Sequence, residues 1–425
     1  MRTPPSLNEM HDPAHIDLAL AGARPKAIAA LLRYFRDLDT AEEAFQEACL
    51  RALQNWPQKG LPGNPTAWLI TVARNSVLDG KRRHRFIGPM PDADALADGH
   101  DHLAPDLLDE SQYKDDILRL LFVCGHPDLP ATQQIALALR IVCGLTVEQI
   151  ASAFLLTPSA MEQRITRAKR ALAGLGVEFD TPGAAQRQAR LAAVAAMIYL
   201  LFNEGYGSTP DTAAARAPLA DEAIRLGRLL LSLFPTDPEI FGLLALMLLQ
   251  QSRAPARFDA YGEIVLLEEQ DRSRWNRTLI DEGRLLLERA AACQSPGPYQ
   301  FQAAISALHA CAAKAEDTPW KEIESLYRSY ETLQPSPVVT LNRAVAVWKV
   351  QGPQAALNMI EPLRDGLDSY FYLHGLRGTL LKQLGRLDES RGALTRAISL
   401  ANSLAEAKLI RRELDGLAGR SIQAN

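Results

Sequence analysis

The sequence predicts an all-α protein in which two small helical domains precede an α-solenoid of stacked helical pairs. Three observations lead to this prediction. Apolar residues recur at helical spacing over most of residues 1–180, apart from one acidic stretch. Residues 145–172 combine a short helix, a three-residue turn and a second, basic helix. Residues 184–425 contain similar segments at intervals of about 34 residues, as helical solenoids do.

Composition excludes several classes of protein. Of the 425 residues, 47% are hydrophobic and only 6% aromatic, and no apolar run approaches the roughly 20 residues that span a bilayer. The N-terminus has polar and acidic residues where a signal peptide needs an uninterrupted apolar stretch. We therefore expect a soluble, cytoplasmic protein.

The five cysteines are expected to be reduced core residues, because they are odd in number, widely spaced and set in apolar helical segments. Metal binding at Cys124–His126 or at His100–His102 is the alternative, but neither segment has the remaining ligands nearby. The sequence thus predicts neither a metal nor a cofactor.

The net charge of −4 is unevenly distributed along the chain. Residues 1–180 carry 19 basic and 23 acidic residues, but nine of those acids fall in Asp92–Asp116, with one lysine. Outside that segment the N-terminal part has a net charge of +4, whereas residues 181–425 balance at 27 of each sign. Because the charge is unevenly distributed, the negative total does not argue against binding of nucleic acid by the N-terminal part.

The first predicted domain, residues 1–85, contains an amphipathic helix and a basic helix separated by a loop rich in proline and glycine. Asp39 and Thr40 are expected to cap the amphipathic helix. Its inward-facing residues are expected to be Ala44, Cys49, Leu50 and Leu53. Residues 86–114 have low hydrophobicity and charge of one sign, which predicts a flexible acidic linker.

The second predicted domain, residues 115–176, holds the helix-turn-helix. Thr146 suits an N-cap, Leu155–Thr157 forms the turn, and Pro158 suits the first turn of the second helix. That helix is expected to bury Ala160, Met161, Ile165, Ala168 and Leu172 and to expose Gln163, Arg164, Arg167 and Arg170. Such an exposed face suits reading a major groove; the alternative is an ordinary helical hairpin with a solvated charged face.

The third predicted domain, residues 184–425, contains the repeats. Ala223 and Pro235 lie twelve residues apart, the spacing from the second-helix alanine to the closing proline of a tetratricopeptide repeat. Gly378 is expected to pack closely against a neighbouring helix and Gly385 to form a turn, with Gly352 in a similar turn 33 residues earlier. Residues 255–335 match the repeat less clearly but are helical in pattern.

In combination these segments resemble a known family. DTAEEAFQEACLRALQNWP followed by NPTAWLITVARNSVLDGKRR looks like region 2 of the sigma-70 family of bacterial RNA polymerase initiation factors, and the helix-turn-helix looks like region 4. A chain with these two regions and no room for the extra domains of housekeeping factors resembles the extracytoplasmic-function group. The C-terminal half, including LLFNEGYGSTPD at 200–211, resembles the subgroup with a tetratricopeptide-like extension. The resemblance implies a non-enzymatic protein that binds core RNA polymerase and promoter DNA.

An acidic and amide face on the amphipathic helix is expected to meet a basic protein partner. The resemblance implies that this partner is the coiled coil of the polymerase largest subunit. The residues assigned to the contact are Glu42, Glu43, Gln46, Glu47 and Leu50. The alternative is a solvated acidic face.

DNA contacts are expected in both regions, with basic side chains on phosphates and amides on an unstacked base. The residues assigned to the −10 element are Asn64, Trp68, Arg74, Asn75, Asp79, Lys81, Arg82 and Arg83, although Trp68 also fits a plain core residue. Those assigned to the −35 element are Thr157, Ser159, Gln163, Arg164, Arg167 and Arg170. Glu162 departs from the family pattern, in which a basic or small polar residue is common, so the upstream sequence that is read stays open.

Other classes of function compete with this interpretation. A helix-turn-helix regulator that is not a sigma factor is one, and a scaffold whose repeats bind proteins is another; the basic clusters at 81–85 and 164–170 argue against the scaffold. An enzyme would need a motif that is missing, and Asn203–Tyr206 is more simply the end of a helix. The repeats are expected to contact a protein partner or the chain's own N-terminal domains.

Overall fold

The computed structural model describes residues 13–83, 110–126, 128–154, 156–174, 184–208, 212–401 and 403–423. The predicted all-α class is confirmed, since these residues form helices joined by turns, with one isolated β-bridge between Phe258 and Ile264. None of the helices in this part of the chain is both long and apolar enough to cross a bilayer. The chain divides into two units, Met1–Leu201 and Phe202–Asn425.

Eight helices can be followed through the described residues of the first unit. They are α1 (Pro13–Phe35), α2 (Leu38–Lys59), α3 (Pro65–Arg83), α4 (Glu110–Cys124), α5 (Ala131–Leu137), α6 (Val147–Ala153), α7 (Pro158–Gly174) and α8 (Ala184–Tyr206). A π-helical turn, Ala138–Val142, continues α5. The boundary between the units falls within α8.

Helices α1, α2 and α3 pack against one another through small residues. The buried face of α2 is largely alanine, which lets the neighbouring helices approach closely. Trp56 of α2 meets Trp68 of α3 edge to face, with ring centroids 5.3 Å apart. Trp68 is therefore part of the packing between α2 and α3, in line with the alternative interpretation of a plain core residue.

The structure corrects two expectations for α2. Its N-cap is Asp37, whose side chain accepts hydrogen bonds from the Thr40 backbone and hydroxyl, so the helix starts before the predicted Asp39–Thr40 cap. Leu50 and Leu53 were expected inside but are 57% and 47% exposed. The physical reason is that the alanine stripe, not the leucine stripe, faces α1 and α3.

Both helices of the predicted helix-turn-helix form, and Leu155 in the turn between them lies outside the described residues. Thr146 and Gln149 make a reciprocal capping box at the start of α6. Thr157 caps α7, where its hydroxyl accepts from the Ala160 backbone and Pro158 takes the first position. The expectation that α7 buries Ala160 is wrong, because this residue lies in the exposed first turn.

The predicted acidic linker, 86–114, is only partly described. Residues 86–109 lie outside the described part of the chain, whereas 110–114 already belong to α4. Asp116, at the end of the acidic run, is buried and pairs with Arg33 of α1 and Arg119 of its own helix. Residues 110–114 of the predicted flexible linker are therefore helical.

The second unit continues as a series of helices in which most helices pack on the next one along the chain. They are α9 (Ala213–Leu233), α10 (Pro238–Gln251), α11 (Arg277–Ala292), α12 (Pro298–Cys311), α13 (Trp320–Leu333), α14 (Pro337–Gln351), α15 (Pro353–Ile360), α16 (Arg364–Leu367), α17 (Phe371–Gln383), α18 (Leu387–Leu400) and α19 (Leu404–Gln423). Helix α10 is buried along Ile240–Leu249 and lies against α9, α11 and α12.

The glycines predicted to shape the repeats occupy the expected conformations. Gly352 and Gly385 have φ values of +92° and +75°, which side-chain-bearing residues rarely adopt. At Gly378 an added Cβ would lie 2.6 Å from Leu394 of α18, so α17 and α18 need a glycine at this point. These features fit helical pairs, and the identity of the repeat stays a proposal.

The expectation of helix throughout 255–335 is wrong for its first part. Residues 252–276 form turns with two short 3-10 segments instead. Arg272 is buried there and donates to the carbonyl oxygens of His309 and Ala312, each at 2.7 Å. These long-range hydrogen bonds hold the segment against the end of α12.

The cysteines are all free, but not all are core residues. Cys124 is buried and Cys49 and Cys143 are partly buried, whereas Cys293 and Cys311 are exposed. Burial raises the pKa of the Cys124 thiol to about 12. The expectation of five core cysteines is therefore wrong for two of them.

Candidate nucleic-acid interface

Four of the five residues assigned to the polymerase share one exposed face of α2. Glu43, Gln46, Glu47 and Leu50 lie three or four residues apart and are all exposed. Leu50 adds an apolar group beside the two carboxylates. Glu47 also accepts a hydrogen bond at 3.1 Å from Arg51, one turn further on.

Glu42, the fifth assigned residue, points elsewhere. It is 5% exposed, and its carboxylate lies 2.8 Å from Arg140 Nε, 3.0 Å from Lys169 Nζ and 3.9 Å from Arg24. Lys169 also contacts Asp39 at 2.5 Å. We call these five residues the Glu42 cluster; two of its cations come from the helix-turn-helix part of the unit.

The electrostatics of the Glu42 cluster follow from burial and pairing. At Lys169 burial favours the neutral amine, but the hydrogen bonds and charges of Asp39 and Glu42 outweigh it and raise the pKa. At Arg24 burial is the largest cause and lowers the pKa in spite of Glu42. Both groups remain cationic at neutral pH, so the buried Glu42 carboxylate has counter-charges on several sides.

The residues assigned to the −10 element lie along α3 and the loop before it. Asn64 is exposed, and its side-chain oxygen accepts from the Ala67 backbone, so it caps α3. Arg74 lies over the ring of Tyr34 at 4.3 Å, and Asn75 is half-buried. The side chains of Asp79, Lys81, Arg82 and Arg83 lie outside the described part of the chain.

The residues assigned to the −35 element occupy the first three-quarters of α7 and its cap. Thr157, Ser159, Gln163, Arg167 and Arg170 are exposed, and Arg164 is half-buried. The guanidinium of Arg167 donates to Gln163 at 3.4 Å, which aligns the two side chains on one face. Lys169 lies on the side of α7 that faces α2, so α7 has a free basic face and an engaged one.

The NEGY segment is explained by packing at the end of α8. Glu204 forms an ion pair with Arg216 of α9. A Cβ at Gly205 would lie 2.3 Å from the Ala220 backbone nitrogen, so only glycine permits the close approach of α8 and α9. Arg257 covers the Tyr206 ring at 4.0 Å. These contacts support the interpretation of a helix end.

The second unit has an apolar groove of about 280 Å³ between α11, α12 and α13. Its lining includes Leu287, Ala291, Phe301, Ala304 and Leu326. No group of three or more His, Cys, Asp or Glu side chains suited to a metal occurs among the residues that the structure describes. The groove thus offers apolar contact surface.

Three family models match separate parts of the chain. Residues 22–87 match sigma-70 region 2, residues 124–172 match sigma-70 region 4, and residues 190–291 match a family of unknown function, DUF6596. The uncharacterized protein R00370 of Rhizobium meliloti (strain 1021) is 60% identical over 411 residues, which cover 96% of this chain and 97% of that protein. The chain belongs to the family of that rhizobial protein.

A more distant similarity covers the N-terminal regions. The ECF RNA polymerase sigma factor SigL of Mycobacterium tuberculosis (strain H37Rv) is 29% identical over 142 residues, or 33% of this chain and 77% of that protein. The two matches place region 2 of this chain in most of α1 together with α2 and α3. They place region 4 between the end of α4 and α7. The DUF6596 part includes the NEGY segment and the turns at 252–276.

The sequence did not predict the Glu42 cluster: Asp39 was expected only as a helix cap, and no role was assigned to Arg24, Arg140 or Lys169. Lys169 carries a weak signal, since it lies between the predicted DNA-facing arginines but off their face of α7. Arg24 has no such signal. Its guanidinium donates to the carbonyl oxygens of Arg140 and Ile141, more than 100 residues away.

Proposed function

We propose that the protein is a sigma factor that binds core RNA polymerase, recognises −10 and −35 promoter elements and initiates transcription of a small regulon in the cytoplasm. The observation that carries the proposal is the presence of sigma-70 regions 2 and 4, in that order, in one chain. In this proposal residues 1–85 act as region 2, 86–114 as linker, 115–176 as region 4 and 184–425 as a fused regulatory domain.

The polymerase contact is proposed for the exposed face of α2. Glu43 and Glu47 supply negative charge for a basic partner, and Leu50 supplies an apolar group that is otherwise exposed to water. Interfaces commonly combine a few anchoring contacts with a charged rim that guides association. An exposed leucine beside two carboxylates fits this pattern better than it fits a solvated face.

The −35 contact is proposed for the free face of α7. Arg167 and Arg170 would bind phosphates or guanine edges, and Gln163 and Ser159 are short enough to reach base edges. The exposed Glu162 repels phosphate and can accept from a cytosine amino group. The exposure of Ser159, Gln163, Arg167 and Arg170 on α7 supports this proposal.

The −10 contact is proposed for α3 and the preceding loop. Asn64 keeps its amide nitrogen free while its oxygen caps α3, so one side chain can both fix the loop and contact a base. Arg74, Lys81, Arg82 and Arg83 are proposed to bind phosphates, and Asn75 to meet the unstacked strand. A flipped base costs a few kcal/mol of unstacking, which these contacts must offset.

The C-terminal unit is proposed to be tetratricopeptide-like and to bind protein. Its charge is balanced, and its apolar groove next to α12 suits a peptide or domain surface more than DNA. The proposed partner is either a separate protein or the chain's own regions 2 and 4.

The decisive experiment is promoter-specific transcription with purified core polymerase and the full-length protein. We expect Glu43→Lys with Glu47→Lys to abolish co-purification with core and transcription. The matched control is Asp281→Lys with Glu288→Lys, which makes the same charge change on exposed residues of α11. Promoter binding that needs no polymerase and survives the α2 double variant would identify an ordinary helix-turn-helix regulator instead.

A further inference from the structure

The turns at 252–276 of the second unit contain several buried polar atoms without a partner. Arg253 Nε, Gln270 Oε1, Arg272 Nε and Trp275 Nε1 are buried and make no hydrogen bond with any described part of the chain. Buried polar atoms in proteins are nearly always hydrogen-bonded, because an unbonded one loses its hydration without replacement. Four such atoms in one short segment indicate that the segment binds a group from outside the chain.

The first and last parts of this segment lie side by side. The Asn276 backbone donates to the Ser252 carbonyl oxygen at 2.9 Å, which brings the end of the segment next to Arg253. The Arg272 guanidinium lies over the Trp275 ring at 4.8 Å. Three unbonded N–H donors, two of them on cations, therefore share one neighbourhood.

The two arginines differ in how the fold holds them. Arg272 donates to the carbonyl oxygens of His309 and Ala312 at 2.7 Å each and to the Thr318 hydroxyl at 3.4 Å. These acceptors are uncharged, so they fix the guanidinium without neutralising it. Arg253 forms no ion pair in the part of the chain that the structure describes, and its Nε stays unbonded.

The histidine next to this pair does not change its charge. Burial is the largest cause that lowers the pKa of His309, to about 4, and the charges of Arg253 and Arg272 add to this effect, so the imidazole is neutral at pH 7. Burial also lowers the pKa of Arg272, and the exposed Glu316 and Asp317 oppose it without forming an ion pair among the described residues. Neither arginine thus has a carboxylate at bonding distance within that part of the chain.

We propose that the turns at 252–276 bind a small oxyanion, a carboxylate or a phosphate, between Arg253, Arg272 and Trp275. Guanidinium groups suit both anions, because their N–H groups lie in a plane that matches two oxygens. The indole N–H adds an uncharged donor, and the Gln270 amide oxygen can accept from a hydroxyl or ammonium group beside the anion. The burial of these atoms favours a small molecule over a nucleic-acid backbone.

The test follows Trp275 in the full-length protein by fluorine NMR, with fluorotryptophan at every tryptophan position. The signal that is missing in Trp275→Phe belongs to Trp275, and this variant keeps an aromatic ring for Arg272. Inorganic phosphate and acetate are titrated separately, with chloride keeping the ionic strength constant. We expect a saturable shift of the Trp275 signal, and the probe that saturates at the lower concentration identifies the class of oxyanion.

Two variants with the same charge change separate this site from nonspecific binding of anions. Arg253→Gln removes a buried cation, and we expect it to weaken binding of the effective probe by about tenfold, the effect of losing one charge-assisted hydrogen bond. Arg274→Gln changes an exposed residue of the same turns and is expected to bind like the wild type. Calorimetry on Trp275→Phe is expected to show weaker binding as well, which keeps the test valid if Arg253→Gln does not fold.

Either of two results overturns the site. One is the absence of a saturable shift of the Trp275 signal with both probes. The other is an equal affinity of the wild type, Trp275→Phe and every folded arginine variant. Neither result bears on the sigma-70 regions, so the sigma-factor proposal stands or fails by its own experiment.

Discussion

Two adjacent carboxylates on α2 show how strongly a residue's role depends on its direction. Glu42 and Glu43 differ by about 100° around the helix axis, which separates a buried ion cluster from an exposed face. A side chain in the cluster must keep its charge partners, because a buried unpaired charge is costly. A side chain on the face is free to recruit a partner, so the same residue type serves two purposes one position apart.

At the residue scale, Leu50 is expected to matter for polymerase binding and not for stability. Leu50→Ala is expected to weaken binding to core polymerase by about tenfold, the effect of losing a modest interface anchor. Thermal stability should stay within a degree or two, since the side chain is 57% exposed. Leu285→Ala, at a site 61% exposed in the second unit, is the matched control for affinity. If both variants bound core polymerase as tightly as the wild type, Leu50 would not belong to the interface.

Also at this scale, Arg167 and Arg170 are expected to supply phosphate contacts. Each alanine substitution should reduce the steepness of the salt dependence of promoter binding by about one unit if the residue neutralises a phosphate. A residue that reads a base should instead change preference at one position, at a cost of roughly 1–3 kcal/mol. The measurement is promoter affinity of the polymerase complex over a salt series, with Arg284→Ala as control. If neither the salt dependence of promoter binding nor the base preference changed, this face of α7 would not contact promoter DNA.

At the element scale, the start of α2 depends on Asp37. Its carboxylate accepts from the Thr40 side chain and backbone, and these hydrogen bonds lower its pKa. We expect Asp37→Ala to destabilise the protein by about 1 kcal/mol at neutral pH, and Asp37→Asn, which still caps, to cost less. Because the folded-state pKa is lowered, this stabilisation is present above the unfolded value near 3.9 and is lost as pH falls through the folded value. Denaturation curves from pH 7 to 3 should therefore converge for wild type and Asp37→Ala; a constant gap would contradict the charged cap.

Packing between α17 and α18 gives a second prediction for an element. Gly378→Ala is expected to destabilise the C-terminal unit by about 1–3 kcal/mol, because the new methyl group collides with Leu394. Gly392→Ala is the control in α18, where an added Cβ meets nothing within 4 Å. That substitution should be neutral or stabilising by about 0.5–1 kcal/mol through the loss of backbone freedom in the unfolded chain. Equal melting temperatures for the two variants would argue against the close approach.

The elements also show what the sequence can and cannot predict. Caps and turns that depend on neighbouring residues, such as Thr146, Gly352 and Gly385, could be predicted because their signals are local. The inward face of α2 could not, because leucine is more hydrophobic but alanine permits closer packing. The turns at 252–276 depend on hydrogen bonds from Arg272 to the end of α12, which no local pattern reveals.

At the scale of the whole molecule, the arrangement of charge is more informative than its sum. The −4 total conceals a basic N-terminal part, an acidic linker segment and a balanced C-terminal half. The faces of α2 and α7 that stay exposed have opposite signs, which fits two different partners, one basic and one a polyanion. Helical spacing predicted most of both candidate faces but wrongly assigned Glu42 to the exposed face of α2, and the cluster that joins regions 2 and 4 could be found only from the tertiary structure.

The last prediction concerns the C-terminal half, which we expect to be an essential scaffold that contacts protein. A fragment ending at residue 180 lacks α8, whose Val194 lies so close to Gly125 of region 4 that a Cβ there would be 2.9 Å away. Loss of α8 uncovers apolar surface, so we expect this fragment to be insoluble or inactive in transcription with core polymerase.

A fragment ending at Leu201, the unit boundary, keeps the Val194 contact and separates the two explanations. If the second unit is a scaffold for regulated function, this fragment should be soluble but should initiate poorly. If the unit is inhibitory, the same fragment should initiate better than the full-length protein. Wild-type activity and promoter choice in cells would contradict both versions. We expect the first result, because a long series of apolar helices with balanced charge is better suited to holding a protein surface than to binding DNA.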